Sequence, residues 1–257
     1  MATVLDIPAR RAPCDPDALP ARPSLAHRDP DALPARPSLG HLIREGFEVV
    51  RWKASRGGMP ALAARHDGDG RPVLLVPGFF ASDSSMAALR RTLAACNYAP
   101  HGWGQGMNWG ARPASFTRLL GRLQMISEEA RQPVAVIGWS IGGVMARELA
   151  KCRPDLVSCV VTLGAPFSGD PRANRIWRLY ELIARHKVDA PPIDCAPEEK
   201  PEVPTIALWS RRDGVIAAAC ARGLPGECDR AVEVGSTHIG LVSAPEALAA
   251  TLEALQN

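Results

Sequence analysis

Aromatic side chains are scarce in this chain, with Phe 5, Trp 6 and Tyr 2 in 257 residues, so an aliphatic core is expected. Surplus charge is also missing: Lys+Arg 30 against Asp+Glu 27 leaves a net charge of +3. No block of five like charges occurs, which excludes a nucleic-acid-binding stripe and a polybasic membrane anchor. The longest stretch without Asp, Glu, Lys or Arg runs from Thr92 to Ala111. Asn97, Pro100, His101, Gln105, Asn108 and four glycines break it, so no transmembrane segment is expected. The first residues, MATVLDIPARRAPC, lack the apolar core of a secretory signal. The seven cysteines show neither CxxC nor Cys/His zinc spacing, so no metal site is expected. They read as mostly reduced thiols of a cytoplasmic protein, with Cys220 and Cys228 the pair close enough in sequence to bridge.

Proline, by contrast, is plentiful, and 8 of the 24 precede Gly40. There DPDALPARPSL occurs at Asp15–Leu25 and again, unchanged, at Asp29–Leu39. Each proline removes a backbone donor and restricts its predecessor, so residues 1–40 read as a semi-extended, flexible tail. Two copies are too few to stack as a solenoid. The remainder, 41–257, is a size that one hydrophobic core can serve.

Beyond the tail, apolar runs alternate with helical patterns. His41–Ala54 fits an amphipathic helix, with Leu42, Ile43, Phe47, Val49 and Val50 between charges. Strands are expected at Pro72–Pro77, Pro133–Ile137, Leu156–Leu163, Thr205–Trp209 and Val232–Val234, with a short extended piece at Tyr98–Trp103. Helices are expected from Ser82 or Asp83 to Asn97, over Ala114–Arg131, up to about Cys152, and over Ser243–Asn257. Ser243, Pro245 and Glu246 form the pattern of a capping box. The runs are apolar on both faces, which predicts an α/β fold with a mostly parallel sheet covered by helices on both sides.

The chemistry concentrates in Gly138-Trp139-Ser140-Ile141-Gly142-Gly143, between an apolar run and a helix. A strand, tight turn and helix in that order hold a serine in a strained conformation that only small neighbours permit. A serine hydroxyl needs a base, and of six histidines His238 sits in a loop between the last strand and the last helix. His101 is the second candidate. An acid must hold the imidazole; Asp213 follows Thr205–Trp209, with Asp170 and Asp194 as weaker alternatives. The order Ser140, Asp213, His238 is nucleophile, acid, base. For the oxyanion hole, the backbone N–H groups of Ile141 and of Phe79, in Pro77-Gly78-Phe79-Phe80, are the candidate donors.

From His41 onward the chain resembles the α/β-hydrolase superfamily, and within it the bacterial esterase/lipase members, on the PGFF turn, the GWSIGG elbow and the Asp213 and His238 loops. The resemblance implies ester cleavage through an acyl-enzyme on Ser140, without metal or organic cofactor, on a small-molecule ester. Pro77 stands where many lipases have His, and the HGGG turn of hormone-sensitive-lipase-like esterases is absent. Residues 164–203 leave room for a small helical cap around Ala173–His186. Phe80, Trp103, Trp109, Trp139, Phe167, Trp177 and Tyr180 fall on the expected active-site edge and suggest an aromatic-walled pocket for a small, medium, lipid-like or polyester acyl group. The same elbow also serves acyltransferases, haloperoxidase-like enzymes and C–C hydrolases, and a catalytically silent binding protein is the alternative outside enzymology.

Overall fold

Val73, Leu74, Leu75 and Val76 offer water no polar face, and all four are buried in strand β1 (Pro72–Val76). Val73 and Leu75 enter one core, Leu74 and Val76 the other, because successive side chains point to opposite faces of a strand. The structure, a computed structural model, describes residues 36–38, 40–41, 45, 65–175, 177–185 and 196–256. Its six-stranded sheet is parallel throughout, in the order β2-β1-β3-β4-β5-β6. The other strands are β2 (Ala99–Gly102), β3 (Val134–Trp139), β4 (Val157–Leu163), β5 (Thr205–Trp209) and β6 (Arg230–Glu233). Strand order reverses beside β1, and the crevice at such a switch point, at the carboxyl ends of the strands, is where ligands bind in open α/β sheets.

Helices α1 (Ala87–Ala95) and α6 (Pro245–Ala254) cover one face, α2 (Pro113–Ala130) and α3 (Ile141–Cys152) the other. In α2, Phe116, Leu119, Leu123 and Ile126 recur at helical spacing and are buried. Each such side chain contributes about 1.5–3 kcal/mol of burial. Pro113 opens this helix and Arg131 closes it in the left-handed conformation. Asp83 ties α1 to the sheet: its carboxylate accepts from the N–H groups of Trp103 (3.0 Å) and Gly104 (3.1 Å) just after β2. The insert after β4 carries α4 (Trp177–Ala184), and α5 (Ala218–Arg222) follows the Asp213 loop.

One expectation needs correction. The capping box at Ser243 does not form: the cap of α6 is Ala244, and the Ser243 hydroxyl donates to Ile239 O instead (3.4 Å). A capping box is made at Ser82 and Ser85, ahead of α1. Among the described cysteines, Cys96, Cys159, Cys220 and Cys228 are free thiols, as expected of mostly reduced cysteines, and Cys152 is disulfide-bonded. Near the end of the tail, Pro37 is buried and its carbonyl accepts from Arg175 Nε at 2.5 Å. Residues 1–35 of the tail lie outside the described residues, as does most of the helix expected over His41–Ala54, of which His41 and Glu45 are described and helical, as is Gly40 just before it. No described helix is long and apolar enough to cross a membrane.

Candidate active site

Ser140 lies between β3 and α3 with φ 56° and ψ −128°. A non-glycine residue there costs about 1–3 kcal/mol and persists only where its surroundings fix it. Two backbone bonds fix it: Ser140 N–H donates to Leu163 O on β4 (2.9 Å), and Gly143 N–H donates to Ser140 O (2.8 Å). The flanking glycines exist for close approach. A Cβ on Gly138 would overlap the Gly142 carbonyl, and one on Gly142 would overlap the carbonyl oxygens of Val76 and Pro77. Gly142→Ala is therefore expected to push α3 off β1 and to destabilise the fold by about 1–3 kcal/mol. The measurement is a lower urea midpoint at unchanged slope; an unshifted midpoint contradicts the packing argument.

Asp213 and His238 meet across the loops that follow β5 and β6. His238 Nδ1 lies 2.7 Å from Asp213 Oδ2, both side chains nearly fully buried. Asp213 Oδ1 accepts from the N–H groups of Val215 (2.8 Å) and Ile216 (2.7 Å). That leaves Oδ2 for the ring, so Nδ1 carries the proton and Nε2 presents its lone pair. Burial works against a charged ring, but the charge of Asp213, its hydrogen bond and the more distant Glu45 outweigh this and raise the His238 pKa. Two further bonds lock the loops together: Ser210 Oγ donates to Ser236 O at 2.5 Å and Val234 N–H to Trp209 O at 2.9 Å. A Cβ on Gly164 would come within 3.1 Å of both Asp213 Oδ2 and His238 Nδ1, so the chain passes directly beneath the pair.

The serine elbow and the histidine loop touch through Trp139, whose indole N–H donates to His238 O (3.1 Å) and whose ring lies 5.4 Å from the imidazole. Ser140 Oγ makes no hydrogen bond among the described residues, a looseness common before substrate tightens a site. The PGFF turn borders the serine: a Cβ on Gly78 would lie 3.1 Å from Ser140 Cβ. Neither Phe79 N–H nor Ile141 N–H has a hydrogen-bond acceptor among the described residues. Asn108, which sequence reasoning passes over, sets that turn. It is fully buried; its Nδ2 donates to Pro77 O (2.7 Å), its carbonyl accepts from Phe80 N–H (2.9 Å), and its own N–H donates to Ala81 O (2.8 Å). Phe80 is left at φ 57°.

The aromatic side chains separate into two groups. Phe79 packs on Phe80 (4.8 Å) and Tyr180 (5.0 Å), and Phe80 on Trp109 (5.1 Å), forming a shelf at the PGFF turn. Phe80 and Trp109 are exposed by 45% and 43%, so this shelf faces outward. Tyr180 OH accepts from Ala111 N–H (3.2 Å) and fastens α4 to the loop. A cleft of about 480 Å³ lies beyond Trp109, bounded by Arg112, Ile183, Ala184 and Arg185. Trp103 is not on the shelf; it is buried among Phe116, Leu119 and Leu123, its indole N–H on Gly106 O (2.9 Å). Phe167 is buried under the Arg147 guanidinium, 4.2 Å from its ring. Trp177 is half-buried on α4 beside Arg178. His101 lies on edge strand β2, where burial chiefly lowers its pKa. Asp170 caps the short turn at Pro171–Ala173 by accepting from Arg172 N–H, and Asp194 lies outside the described residues. No group of three or more His, Cys, Asp or Glu side chains that could hold a metal occurs among the described residues.

A parallel sheet in this order, with a strained serine elbow after β3, defines the α/β-hydrolase fold. Residues 73–192 match the model described as Alpha/beta hydrolase family, and the neighbours among solved structures are esterases and lipases. A pyrethroid hydrolase from Sphingobium faniae is 19% identical, with TM-score 0.51, over 71% of this chain and 96% of that one. The monoacylglycerol lipase of Paleococcus ferrophilus is 15% identical, with TM-score 0.52, over 72% and 95%. A metagenome-derived lipolytic enzyme is 16% identical, with TM-score 0.54, over 74% and 95%. At these identities the likeness is one of fold. No curated protein matches the chain.

Proposed function

We propose that this chain is a serine hydrolase of carboxylic esters. Ser140 is the nucleophile, His238 the general base, Asp213 the residue that orients and charges the base, and the N–H groups of Phe79 and Ile141 the oxyanion donors. The observation that carries the reading is the buried Asp213–His238 pair, 2.7 Å apart, packed through Trp139 against a serine held at positive φ. Neutral His238 takes the Ser140 proton as Oγ attacks the ester carbonyl. Asp213 stabilises the resulting imidazolium, and two unpaired N–H groups await the developing oxyanion. The imidazolium then protonates the leaving alkoxide, and water, activated by the same base, releases the acid. The raised His238 pKa places the acidic limb of kcat/KM above the usual histidine value, because the protonated ring cannot accept the serine proton.

The shelf of Phe79, Phe80, Trp109 and Tyr180 supports an apolar acyl or aromatic group, and a helix as short as α4 suits small to medium or lipid-like esters. The test joins a chain-length series of p-nitrophenyl esters, run beside a polyester film, to labelling by a fluorophosphonate. Turnover that peaks at short to medium chains, with the label on Ser140, is the expected outcome. No label on Ser140 in folded protein would overturn the reading in favour of a silent binding protein.

A further inference from the structure

Glu45, in the N-terminal segment, is buried against the loops that follow β5 and β6. It is 4% exposed, and its carboxylate accepts from backbone groups of both loops that carry the acid and the base. Oε1 accepts from Gly214 N–H at 3.0 Å and from His238 N–H at 2.7 Å; Oε2 accepts from Ile239 N–H at 2.9 Å. Gly214 is the neighbour of Asp213 in sequence, so one carboxylate holds a residue beside the acid and the base itself. The same segment is tied down at one more point and braced within itself at another. Pro37 O accepts from Arg175 Nε, and Arg175 N–H in turn donates to Val215 O (3.0 Å) on the acid loop. Ser38 Oγ accepts from His41 N–H (3.2 Å), at the start of the helical residues that lead to Glu45.

We infer that Glu45 is a positioning residue for the Asp213–His238 pair, a carboxylate clasp that sets the spacing of the two loops and stabilises the imidazolium formed during catalysis. The inference rests on the proposed roles of Ser140, Asp213 and His238. A carboxylate is the group that fits, because three N–H donors converge on two oxygens that accept only; an amide would turn a donor toward one of them. Burying an ion this deeply is unfavourable unless its hydrogen bonds are made, and here all three donors are charge-assisted. Among the described residues no Lys or Arg pairs with Glu45. The groups that face His238 are Asp213 at the ring, Glu45 at the backbone, Trp139 over the ring and the Ser140 elbow. Arg211 and Arg212 turn away to solvent, Arg211 pairing with Glu233 and Arg212 donating to Gly235 O. Glu45 is thus the second negative charge that favours the protonated ring.

The test compares E45Q and E45D with the wild type, normalised to the fraction that a fluorophosphonate labels. E45Q removes the charge but keeps one acceptor oxygen; E45D keeps the charge but is one methylene short. For E45Q, kcat is expected to fall roughly 10- to 100-fold with KM changed by less than about twofold. The acidic limb of its kcat/KM profile should move to lower pH, because loss of a negative charge makes the ring harder to protonate. For E45D, kcat should fall while the limb stays in place. A purely structural glutamate would lower the labelled fraction and leave the normalised kcat and the limb where they were, and that result would overturn the inference. The His238 ring titration, followed by NMR in wild type and E45Q, decides the matter without substrate: a lower midpoint in E45Q supports the clasp and an unchanged midpoint overturns it. Absence of Ser140 labelling in the wild type is a separate failure, of the ester-hydrolase reading.

Discussion

Ser140→Ala is expected to lower kcat for p-nitrophenyl ester hydrolysis by roughly 10⁵- to 10⁶-fold, the size seen when a serine hydrolase loses its nucleophile. The substitution removes one oxygen and leaves every bond that shapes the elbow, since those bonds use backbone groups of Ser140, Leu163 and Gly143. Stability should therefore hold or rise slightly, because alanine replaces a polar side chain that is 5% exposed and makes no hydrogen bond among the described residues. The Asp213–His238 bond should also survive, so the ring still titrates. Residual catalysis of about 10³- to 10⁴-fold over water is the share left to the oxyanion donors and binding. A variant with more than about a tenth of wild-type kcat points to another nucleophile or to water activated directly by His238.

The middle of the sheet is legible in the sequence because β1, β3, β4 and β5 are almost wholly buried and so read as apolar runs, whereas the edge strands β2 and β6 are partly exposed and carry polar residues; Thr205–Trp209 matches β5 residue for residue. Asp213 and His238, which the fold brings to 2.7 Å, are legible for a different reason. The chain order of an α/β hydrolase puts acid and base at the ends of successive late strands, where few polar residues compete. Glu45 is not legible. In sequence it is one charge in an amphipathic pattern, and its partners are backbone N–H groups 169 to 194 residues away that leave no signature in residue type. Asn108 escapes notice for the same reason, since apart from Met145 Sδ its partners are main-chain atoms of the PGFF turn and its own loop. Trp103 and Phe167 show the opposite failure. Their sequence positions lie near the active-site edge, but one fills the core beneath α2 and the other lies against Arg147, whose guanidinium donates to the carbonyls of Pro197 (2.7 Å), Glu199 (3.1 Å) and Glu227 (2.7 Å). The five residues of α5 are too few for periodicity to appear at all.

Asp213→Asn tests the proposed acid more sharply than its deletion, because the asparagine keeps the shape and changes the proton. Its Oδ1 can still accept from Val215 and Ile216, so the loop stays folded and Nδ2 is the atom turned toward His238. An N–H donor there cannot face another donor at Nδ1. The ring must therefore carry its proton on Nε2, the nitrogen that should accept from Ser140, and no base is left. The expected loss in kcat is about 10⁴-fold. The negative charge next to the ring is gone as well, so the His238 titration should fall below its raised wild-type position, the two effects having one cause. Expressing the loss as a pH profile separates them: raising the pH restores neutral imidazole but cannot restore its tautomer, so activity should stay low across the alkaline range. A loss smaller than about tenfold would mean that another carboxylate orients the ring. Glu45 is the next carboxylate toward His238, but it binds the backbone N–H and does not reach Nδ1, so the bond from Nδ1 to Asp213 has no substitute among the described residues.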